Sequence, residues 1–189
     1  MEQQKLVIQP LLQNVVATAS LSTPVNLRAI ATNAKNVEYN PKKFPAAILR
    51  YVDPKATVLI FESGKMVCNG SRSEEDARYA CRRATKTILK CHPEGTLHVQ
   101  FKDFKIENLV ASCDLKFPIR VEGLSQSCQE NSTYEPEMFP GLIYRFPESK
   151  AIILVFVSGK VVITGARSAA EIEQKFREIY PKLHQFRKK

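Results

Sequence analysis

The chain contains one twelve-residue segment twice. Residues 61–72 read FESGKMVCNGSR, and residues 156–167 read FVSGKVVITGAR. Seven of the twelve positions are identical, whereas unrelated segments would share roughly one by composition alone. The two copies lie 95 residues apart in a chain of 189. The repeat therefore predicts a duplicated unit of about half the chain.

Other segments recur at nearly the same spacing. Residues 13–18 (QNVVAT) match residues 107–112 (ENLVAS), and the loop at residues 39–45 (YNPKKFP) matches residues 134–140 (YEPEMFP). Two units of about 90 residues are each long enough to fold around shared strands. We predict a short N-terminal arm at residues 1–10, a first repeat at residues 11–95 and a second repeat at residues 96–189.

Composition limits the classes of function. Lys and Arg number 28 against 19 Asp and Glu, a net charge of +9, which favours polyanions or acidic surfaces as partners. The five cysteines lack CxxC spacing and the three histidines complete no ligand set. This pattern predicts reduced thiols in an intracellular protein with no metal or cofactor.

A signal core and a membrane-length apolar run are missing, so we expect neither secretion nor membrane insertion. No catalytic motif occurs, which predicts that the chain is not an enzyme.

Hydrophobic periodicity predicts the same elements in each half: a strand, a short helix, four further strands and a long helix. This is the α+β class. We expect Thr23 to cap the first short helix, and Ser73 and Ser168 to begin the long helices with capping boxes. An additional strand is predicted at Leu97–Phe101, and an interruption of the last helix at Tyr180–Pro181.

Each predicted hairpin brings two phenylalanines together. Turns centred after Val52 and after Pro147 place Phe44 opposite Phe61 and Phe139 opposite Phe156. Directly opposed side chains share a face, with Cβ atoms about 5 Å apart. A single Phe is usually buried, but Phe44 lies in a loop between Lys43 and a proline, and the pair recurs. We therefore predict two exposed aromatic pairs.

The strands also predict one sheet face that the helices do not cover, open to solvent or a partner. This open face should be apolar with a few amides and hydroxyls. Its expected members are Asn14, Val16, Thr18, Leu59, Phe61, Val67 and Asn69 in one repeat, and Asn108, Val110, Ser112, Leu154, Phe156, Val162 and Thr164 in the other. An apolar face with a basic rim suits the DNA minor groove, which has sugar walls, an acceptor-rich floor and flanking phosphates. A scaffold that binds protein through the same face is the alternative.

Five segments carry a resemblance to a known family. They are residues 38–42 (EYNPK), 63–67 (SGKMV), 117–120 (FPIR), 134–137 (YEPE) and 139–145 (FPGLIYR). From about Leu11 to Phe186 the sequence resembles the core of the TATA-box-binding protein family, and its eukaryotic members in particular. The long N-terminal tail of many such members is not matched.

The resemblance implies a fold and a function. The fold is a saddle of two pseudo-symmetric repeats, with a continuous curved antiparallel sheet and helices on the convex face. The function is that of a nuclear general transcription factor. Such a factor binds the minor groove of TATA-element DNA, bends it and nucleates preinitiation complex assembly.

Residue roles follow from the same resemblance. Phe44, Phe61, Phe139 and Phe156 would intercalate at the two ends of the element. The groove floor would be contacted by Asn14, Val16, Thr18, Leu59, Val67, Asn69, Asn108, Val110, Leu154, Val162 and Thr164. The phosphates would be contacted by Arg50, Ser63, Lys65, Arg72, Arg145, Ser158, Lys160 and Arg167. Thr164 matches a family threonine, but its first-repeat counterpart is Asn69. This departure keeps open a paralogue with altered promoter preference.

Partner surfaces are implied in the same way. The loop with Glu135, Glu137 and Met138 would meet the B-type general transcription factor. The basic side of the first long helix would meet the A-type factor, TBP-associated factors and regulators, although such a side is often simply solvated. Its members are Arg78, Arg82, Arg83, Lys86 and Lys90. Without DNA, self-dimerisation could cover the apolar face. No membrane partner is expected.

Overall fold

The structure is a computed structural model that describes residues 8–93 and 97–188. Contacts divide the chain into two units. The first comprises Asn14–Asn108, and the second comprises Leu109–Lys189 with the N-terminal residues through Gln13. Residues 1–7 of the predicted arm, and Glu94 and Gly95 of the predicted hinge, lie outside the described residues.

Each repeat follows the predicted element order. The first gives β1 (Leu11–Ser20), α1 (Leu27–Asn33), β2 (Val37–Glu38), β3 (Ala46–Val52), β4 (Lys55–Phe61), β5 (Lys65–Ser71) and α2 (Glu74–Lys90). The second gives β6 (Lys102–Asp114), α3 (Val121–Ser127), β7 (Ser132–Thr133), β8 (Gly141–Arg145), β9 (Ile152–Phe156), β10 (Lys160–Ala166) and α4 (Ala169–Gln185). The strands lie in the order β2-β3-β4-β5-β1 in one unit and β6-β10-β9-β8-β7 in the other. Neighbouring strands within each unit are antiparallel.

The long helices begin where their caps predict. The hydroxyl of Ser73 accepts from the N–H of Asp76 at 3.0 Å, and that of Ser168 accepts from the N–H of Glu171 at 3.1 Å. Each bond satisfies one of the unpaired donors at a helix start. Helix α2 packs on β4 and β5, and α4 packs on β10.

Alternation along the strands, interrupted at register shifts in the β1–β5 and β6–β10 pairs, separates the core from the other face. In β4, Val58 and Ile60 are fully buried, while Leu59 and Phe61 between and beyond them are half-buried. In β10, Val161 and Ile163 are fully buried and Val162 is half-buried. Because successive strand side chains point to opposite faces, each unit has one core face and one face with partial exposure.

The hairpin register differs from the prediction by two residues in both repeats. Ala46, not Phe44, pairs with Phe61, and Gly141, not Phe139, pairs with Phe156. In the first repeat β3 extends to Val52 and pairs it with Lys55, so the turn lies at Asp53 and Pro54. The longer strand moves the turn one residue along, which shifts every pairing by two.

The first short helix begins later than predicted. Its N-cap is Asn26, whose side chain accepts from the N–H of Ala29 at 3.1 Å, rather than Thr23. The N–H of Leu21 donates to Gly64 and that of Val25 donates to Glu62, both at 2.9 Å. These bonds hold the segment through Val25 against the turn between β4 and β5, so it cannot turn into a helix there.

Two further expectations are wrong. Leu97–Phe101 forms no strand, and β6 begins at Lys102. Phe101 instead lies beneath the guanidinium of Arg82, 5.8 Å from its ring centre, so its apolar side chain covers α2. Helix α4 also continues through Pro181. Leu183 beyond the proline is fully buried, and this packing offsets the hydrogen bond that proline cannot donate.

The cysteines are thiols, as the sequence predicts. All five are free; four are buried, and Cys113 is half-buried. Burial raises the pKa of Cys113 to about 11, which disfavours its reactive thiolate form.

In the part of the chain that the structure describes, no helix is long and apolar enough to cross a membrane. The same residues contain no cluster of ligands for a metal ion.

Candidate nucleic-acid interface

In the first unit, a row of side chains crosses four strands on the face opposite α2; we call it the first row. Thr18 pairs with Val67, Val67 with Leu59, and Leu59 with Ile48. All four residues are half-buried. Because directly paired residues of a sheet share a face, the row forms a continuous apolar strip.

The second unit repeats this strip as the second row. Ser112 pairs with Val162, Val162 with Leu154, and Leu154 with Ile143. The predicted face residues Asn14, Val16, Asn108, Val110 and Thr164 are also half-buried in their units, and Asn69 is exposed. The alternation therefore exposes every residue that the sequence assigned to this face.

Ile48 and Ile143 belong to the rows but were missed from sequence. They were missed because the predicted hairpin register was wrong. The observed register, shifted by two residues, pairs Ile48 with Leu59 and Ile143 with Leu154. With the predicted register, Leu59 would have faced Ala46. The apolar strips are thus one strand wider than expected.

The amide of Asn14 has a fixed orientation. Its Oδ1 accepts from the N–H of Gly70 at 2.8 Å, at a point where the β1–β5 register shifts. Gly70 adopts φ of 90°, a conformation that favours glycine. Because the oxygen is engaged, the Nδ2 group presents its two N–H donors to the rest of the face.

Both aromatic pairs form. Phe44 and Phe61 lie with ring centroids 6.3 Å apart, and Phe139 and Phe156 with centroids 5.9 Å apart, each in an edge-to-face arrangement. Phe44 reaches Phe61 from a turn rather than a strand, since its N–H donates to the carbonyl of Asn40 at 3.0 Å. Phe44 is 40% exposed, so a large part of its apolar ring faces solvent.

Gly141 allows the second aromatic pair to close. A Cβ at this position would lie 2.8 Å from the ring of Phe139 and 3.1 Å from that of Phe156. The equivalent residue of the first repeat is Ala46, and the centroids there are slightly farther apart. The two pairs are therefore similar but not identical.

The repeated Ser-Gly-Lys turns project lysines from the edge of each unit. Gly64 and Gly159 have φ of 83° and 86°, and a Cβ on Gly64 would clash with the carbonyl oxygen of Thr23. Glycine is thus required by both conformation and space. The hydroxyls of Ser63 and Ser158 each accept from the N–H of the lysine two residues on, at 3.4 Å. Lys65 and Lys160 are exposed.

The four predicted rim arginines are exposed. Arg50 lies 3.4 Å from Glu38 in a surface ion pair, which stabilises the fold by about 1 kcal/mol at most. The backbone N–H of Arg167 donates to Glu171 at 3.0 Å. The remaining members of this set are Arg72 and Arg145.

The predicted basic side of α2 is partly committed to packing. The guanidinium of Arg78 lies 4.1 Å above the ring of Phe104, and that of Arg83 lies 4.5 Å above Tyr51. Arg83 also donates to the carbonyl of Asp53 at 3.0 Å. Cation–π contacts of this kind stabilise by about 0.5–1 kcal/mol at exposed sites. Lys86 and Lys90 are exposed.

The predicted acidic loop lies at the surface. Glu135 and Glu137 are exposed, and Met138 is 83% exposed. The carbonyl of Glu135 accepts from the N–H groups of Met138 and Phe139, both at 2.9 Å. The turn that presents Met138 therefore also positions Phe139.

Sequence reasoning missed one charged member of the open face. Glu107 accepts from the hydroxyl of Thr18, with Oγ1 and Oε1 3.0 Å apart. Lys105 lies 3.4 Å from the same oxygen. Alternation could not have placed it there, because Glu107 has the same parity as the buried residues Leu109 and Ala111.

The sequence of the chain matches a known protein family. The family model described as "Transcription factor TFIID (or TATA-binding protein, TBP)" matches residues 9–91 and again residues 103–186. The chain belongs to the TATA-binding protein family. The double match covers both repeats, and the family is one of transcription factors, which confirms that the chain is not an enzyme.

Individual TBP family members agree. TATA-box-binding protein 1 of Triticum aestivum is 54% identical over 96% of this chain and 76% of its own length. The TATA-box-binding protein of Acetabularia peniculus is 53% identical over 96% of this chain and 93% of its own. A solved structure, Methanococcus jannaschii TBP, matches with a TM-score of 0.78 at 33% identity, covering 94% of this chain and 99% of that one. The expected α+β fold class with two repeats is confirmed.

Proposed function

We propose that this TBP family member binds the minor groove of TATA-element DNA and bends it. The main support is the edge-to-face phenylalanine pair in each unit, in which Phe44 is exposed and Phe61, Phe139 and Phe156 are half-buried. Each pair includes the last residue of the strand that supplies the central leucine of an apolar row. The relatives add support, since they are named as TATA-box-binding proteins.

The open faces match the chemistry of the groove. The floor of an A·T-rich minor groove offers acceptors, namely adenine N3 and thymine O2. The donors of the Asn14 amide are oriented for such acceptors by the bond to Gly70, and we assign the same role to Asn108. The apolar rows contact the sugars and base edges between them.

The phenylalanines act as wedges. Unstacking a base step costs a few kcal/mol in minor-groove architectural proteins, a group whose standard examples include this family. Burying an aromatic side chain returns about 1.5–3 kcal/mol. The two terms are of similar size, so base steps that unstack easily decide the outcome. Pyrimidine–purine steps such as TA are flexible and easily kinked, which favours TATA sequences.

The rim supplies affinity that does not depend on sequence. Lys65 and Lys160, with the hydroxyls of Ser63 and Ser158, lie at equivalent turns and would contact phosphates. The four rim arginines would act in the same way. Phosphate contacts fix the position of a protein on the duplex, whereas base edges and deformability provide specificity.

Assembly with other factors belongs to the same proposal. The bound protein nucleates the preinitiation complex in the nucleus. The loop of Glu135, Glu137 and Met138 receives the B-type factor, and the exposed basic residues of α2 receive the A-type factor and regulators. An 83% exposed methionine is a suitable apolar anchor for such a contact. A self-dimer covers the apolar face when DNA is absent.

A related function is favoured by one observation. Asn69, which is exposed, stands where the second repeat has Thr164. An amide has donors and an acceptor at the end of a longer side chain than threonine. A paralogue with altered promoter preference is therefore the second candidate, and Asn69→Thr would shift the sequences selected from a random duplex pool.

Bending tests the wedge mechanism. We expect Phe139→Ala with Phe156→Ala to lower the bend angle of a TATA duplex, measured by FRET between dyes at the duplex ends. The control is Phe101→Ala with Phe104→Ala. This double variant removes an aromatic pair that is not a proposed wedge and that packs against arginines of α2. Unchanged FRET in the first double variant, at saturating protein, would exclude insertion by this pair.

A further inference from the structure

Two carboxylates, those of Glu107 and Asp103, lie on a face that is mainly apolar and basic. Glu107 lines an open groove of about 550 Å³ in the first unit, together with Thr18, Phe61, Lys65 and Val67. These four neighbours are members of the proposed DNA-binding surface. The Glu107 side chain is 33% exposed, so a ligand on this face can reach it.

The hydrogen bond to Thr18 sets what both residues present. A hydroxyl has one donor and two acceptor lone pairs, and a carboxylate only accepts. Because Thr18 donates its hydrogen to Glu107 at 3.0 Å, its oxygen offers only lone pairs to the groove. The Thr18–Glu107 pair therefore presents acceptors alone.

Acceptors do not suit an A·T floor. Adenine and thymine show only acceptors in the minor groove, and the guanine 2-amino group is the one donor there. Lys105, 3.4 Å from the same carboxylate oxygen, partly offsets the repulsion between the carboxylate and phosphates, so the effect on sequence preference is the larger one. The pair thus has an unfavourable interaction with A·T pairs and a favourable one with G·C.

The other unit has different residues at the equivalent positions. The duplicated segment aligns Glu107 with Gln13 and Thr18 with Ser112. Glutamine carries N–H donors as well as an acceptor, so its side chain can serve an acceptor-rich floor. The acceptor pair is therefore a property of one half of the interface.

We propose that Thr18 and Glu107 form a specificity pair that accepts from the 2-amino group of a guanine in the minor groove. The ligand feature is a G·C pair at one position of the bound element, on the side contacted by the first unit. This inference rests on the proposed minor-groove function. It also gives a nearly symmetric protein one means of distinguishing the two orientations of its site.

Inosine isolates the group in question, because an I·C pair lacks the 2-amino group and otherwise resembles G·C. A TATA duplex is scanned with a single G·C or I·C pair at each position, and Kd is measured by fluorescence anisotropy. For the wild-type protein we expect one position at which G·C binds at least as tightly as I·C. We define the G·C to I·C ratio at that position as the affinity for the G·C duplex divided by the affinity for the I·C duplex. Glu107→Met, which keeps the length of the side chain and removes the carboxylate, should lower this ratio roughly tenfold.

Three variants serve as comparisons. Glu107→Gln retains a neutral acceptor and should give an intermediate ratio, because acceptors with full charge bind more strongly. Thr18→Val should also lower the ratio. Asp103→Asn removes a charge from the same groove while leaving the Thr18–Glu107 bond in place, and should leave the ratio unchanged.

The outcomes separate the two proposals. If the wild-type protein fails to prefer the unmodified TATA duplex over a GC duplex, the minor-groove function fails and this inference fails with it. If that preference holds but wild type, Glu107→Gln and Glu107→Met give the same G·C to I·C ratio at every position, the specificity pair alone is wrong. Thermal melting of each variant confirms that it is folded.

Discussion

At the residue scale, orientation of side chains decides what the open faces can bind. Asn14 illustrates this, because the bond from Gly70 to its oxygen leaves the N–H donors as the groups that a ligand meets. The proposed contact with acceptors of the groove floor requires this orientation. Its position on the face followed from strand alternation, but its orientation needed the register shift beside Gly70.

We expect Asn14→Asp to lower affinity for a TATA duplex at least about tenfold, the scale of one good base contact. Aspartate keeps the acceptor for Gly70 but replaces two donors with an oxygen that A·T acceptors repel. Anisotropy titration measures the loss. Asn36→Asp, an exposed residue outside the strands, adds the same charge as a control, and equal losses in both variants would contradict the assigned role of Asn14.

Alternation of apolar residues predicted the open-face residues correctly, since a period of two depends only on local pattern. The hairpin register was wrong by two residues, because it depends on where the turn closes. Phe44 and Phe61 still meet, since the turn at Asn40 brings the ring across. Glu107 was overlooked because its contact with Thr18 joins residues far apart in sequence.

At the element scale, the ends of the long helices were the most predictable features. Ser73 and Ser168 bond the N–H groups that a capping box requires. The start of α1 was not predictable in this way, because long-range bonds to Glu62 and Gly64 hold the preceding residues extended. Continuation of α4 past Pro181 likewise depends on the burial of Leu183, which local propensity does not contain.

The start of α4 predicts a pH dependence of stability. A hydrogen bond from the Ser149 hydroxyl to Glu171, then one from the Arg167 backbone, lowers the carboxyl pKa of Glu171 below its ordinary 4.5. A lowered folded-state pKa stabilises the fold above the ordinary value, and this contribution is lost as pH falls through the folded-state pKa.

Glu171→Gln should therefore reduce the free energy of unfolding at pH 7 and have progressively less effect as pH falls below about 4.5. Urea unfolding at a series of pH values measures this difference. Glu173→Gln, on the exposed side of the same helix, is the matched control. A difference between Glu171→Gln and wild type that stays constant down to pH 3 or so would be inconsistent with the linkage.

At the scale of the whole molecule, duplication produces two units with similar open faces, and the positions at which the two faces differ distinguish one unit from the other. Asn69 against Thr164 and Glu107 against Gln13 are such places. The duplication, the fold class and the family could all be obtained from sequence, because the repeated segments are long and specific. The consequences of the differences could not, since they depend on contacts within the folded units.

Electrostatic binding by the two rim lysines has a measurable signature. The slope of log K against log salt falls by roughly 0.9 for each phosphate contact removed. Lys65→Gln with Lys160→Gln should therefore reduce the slope by about two, with little change in preference between sequences. Lys86→Gln with Lys90→Gln on α2 removes equal charge, and an equal change in slope there would show that net charge alone controls binding.

We propose that the two apolar faces with their phenylalanine pairs read TATA DNA in the minor groove. The most direct test of this proposal is a fluorescence-anisotropy titration of the full chain with a TATA duplex and a GC duplex of equal length at moderate salt. We predict clear preference for the TATA duplex, with affinity for both falling as salt increases. Equal affinity for the two duplexes would exclude recognition of TATA DNA by these faces.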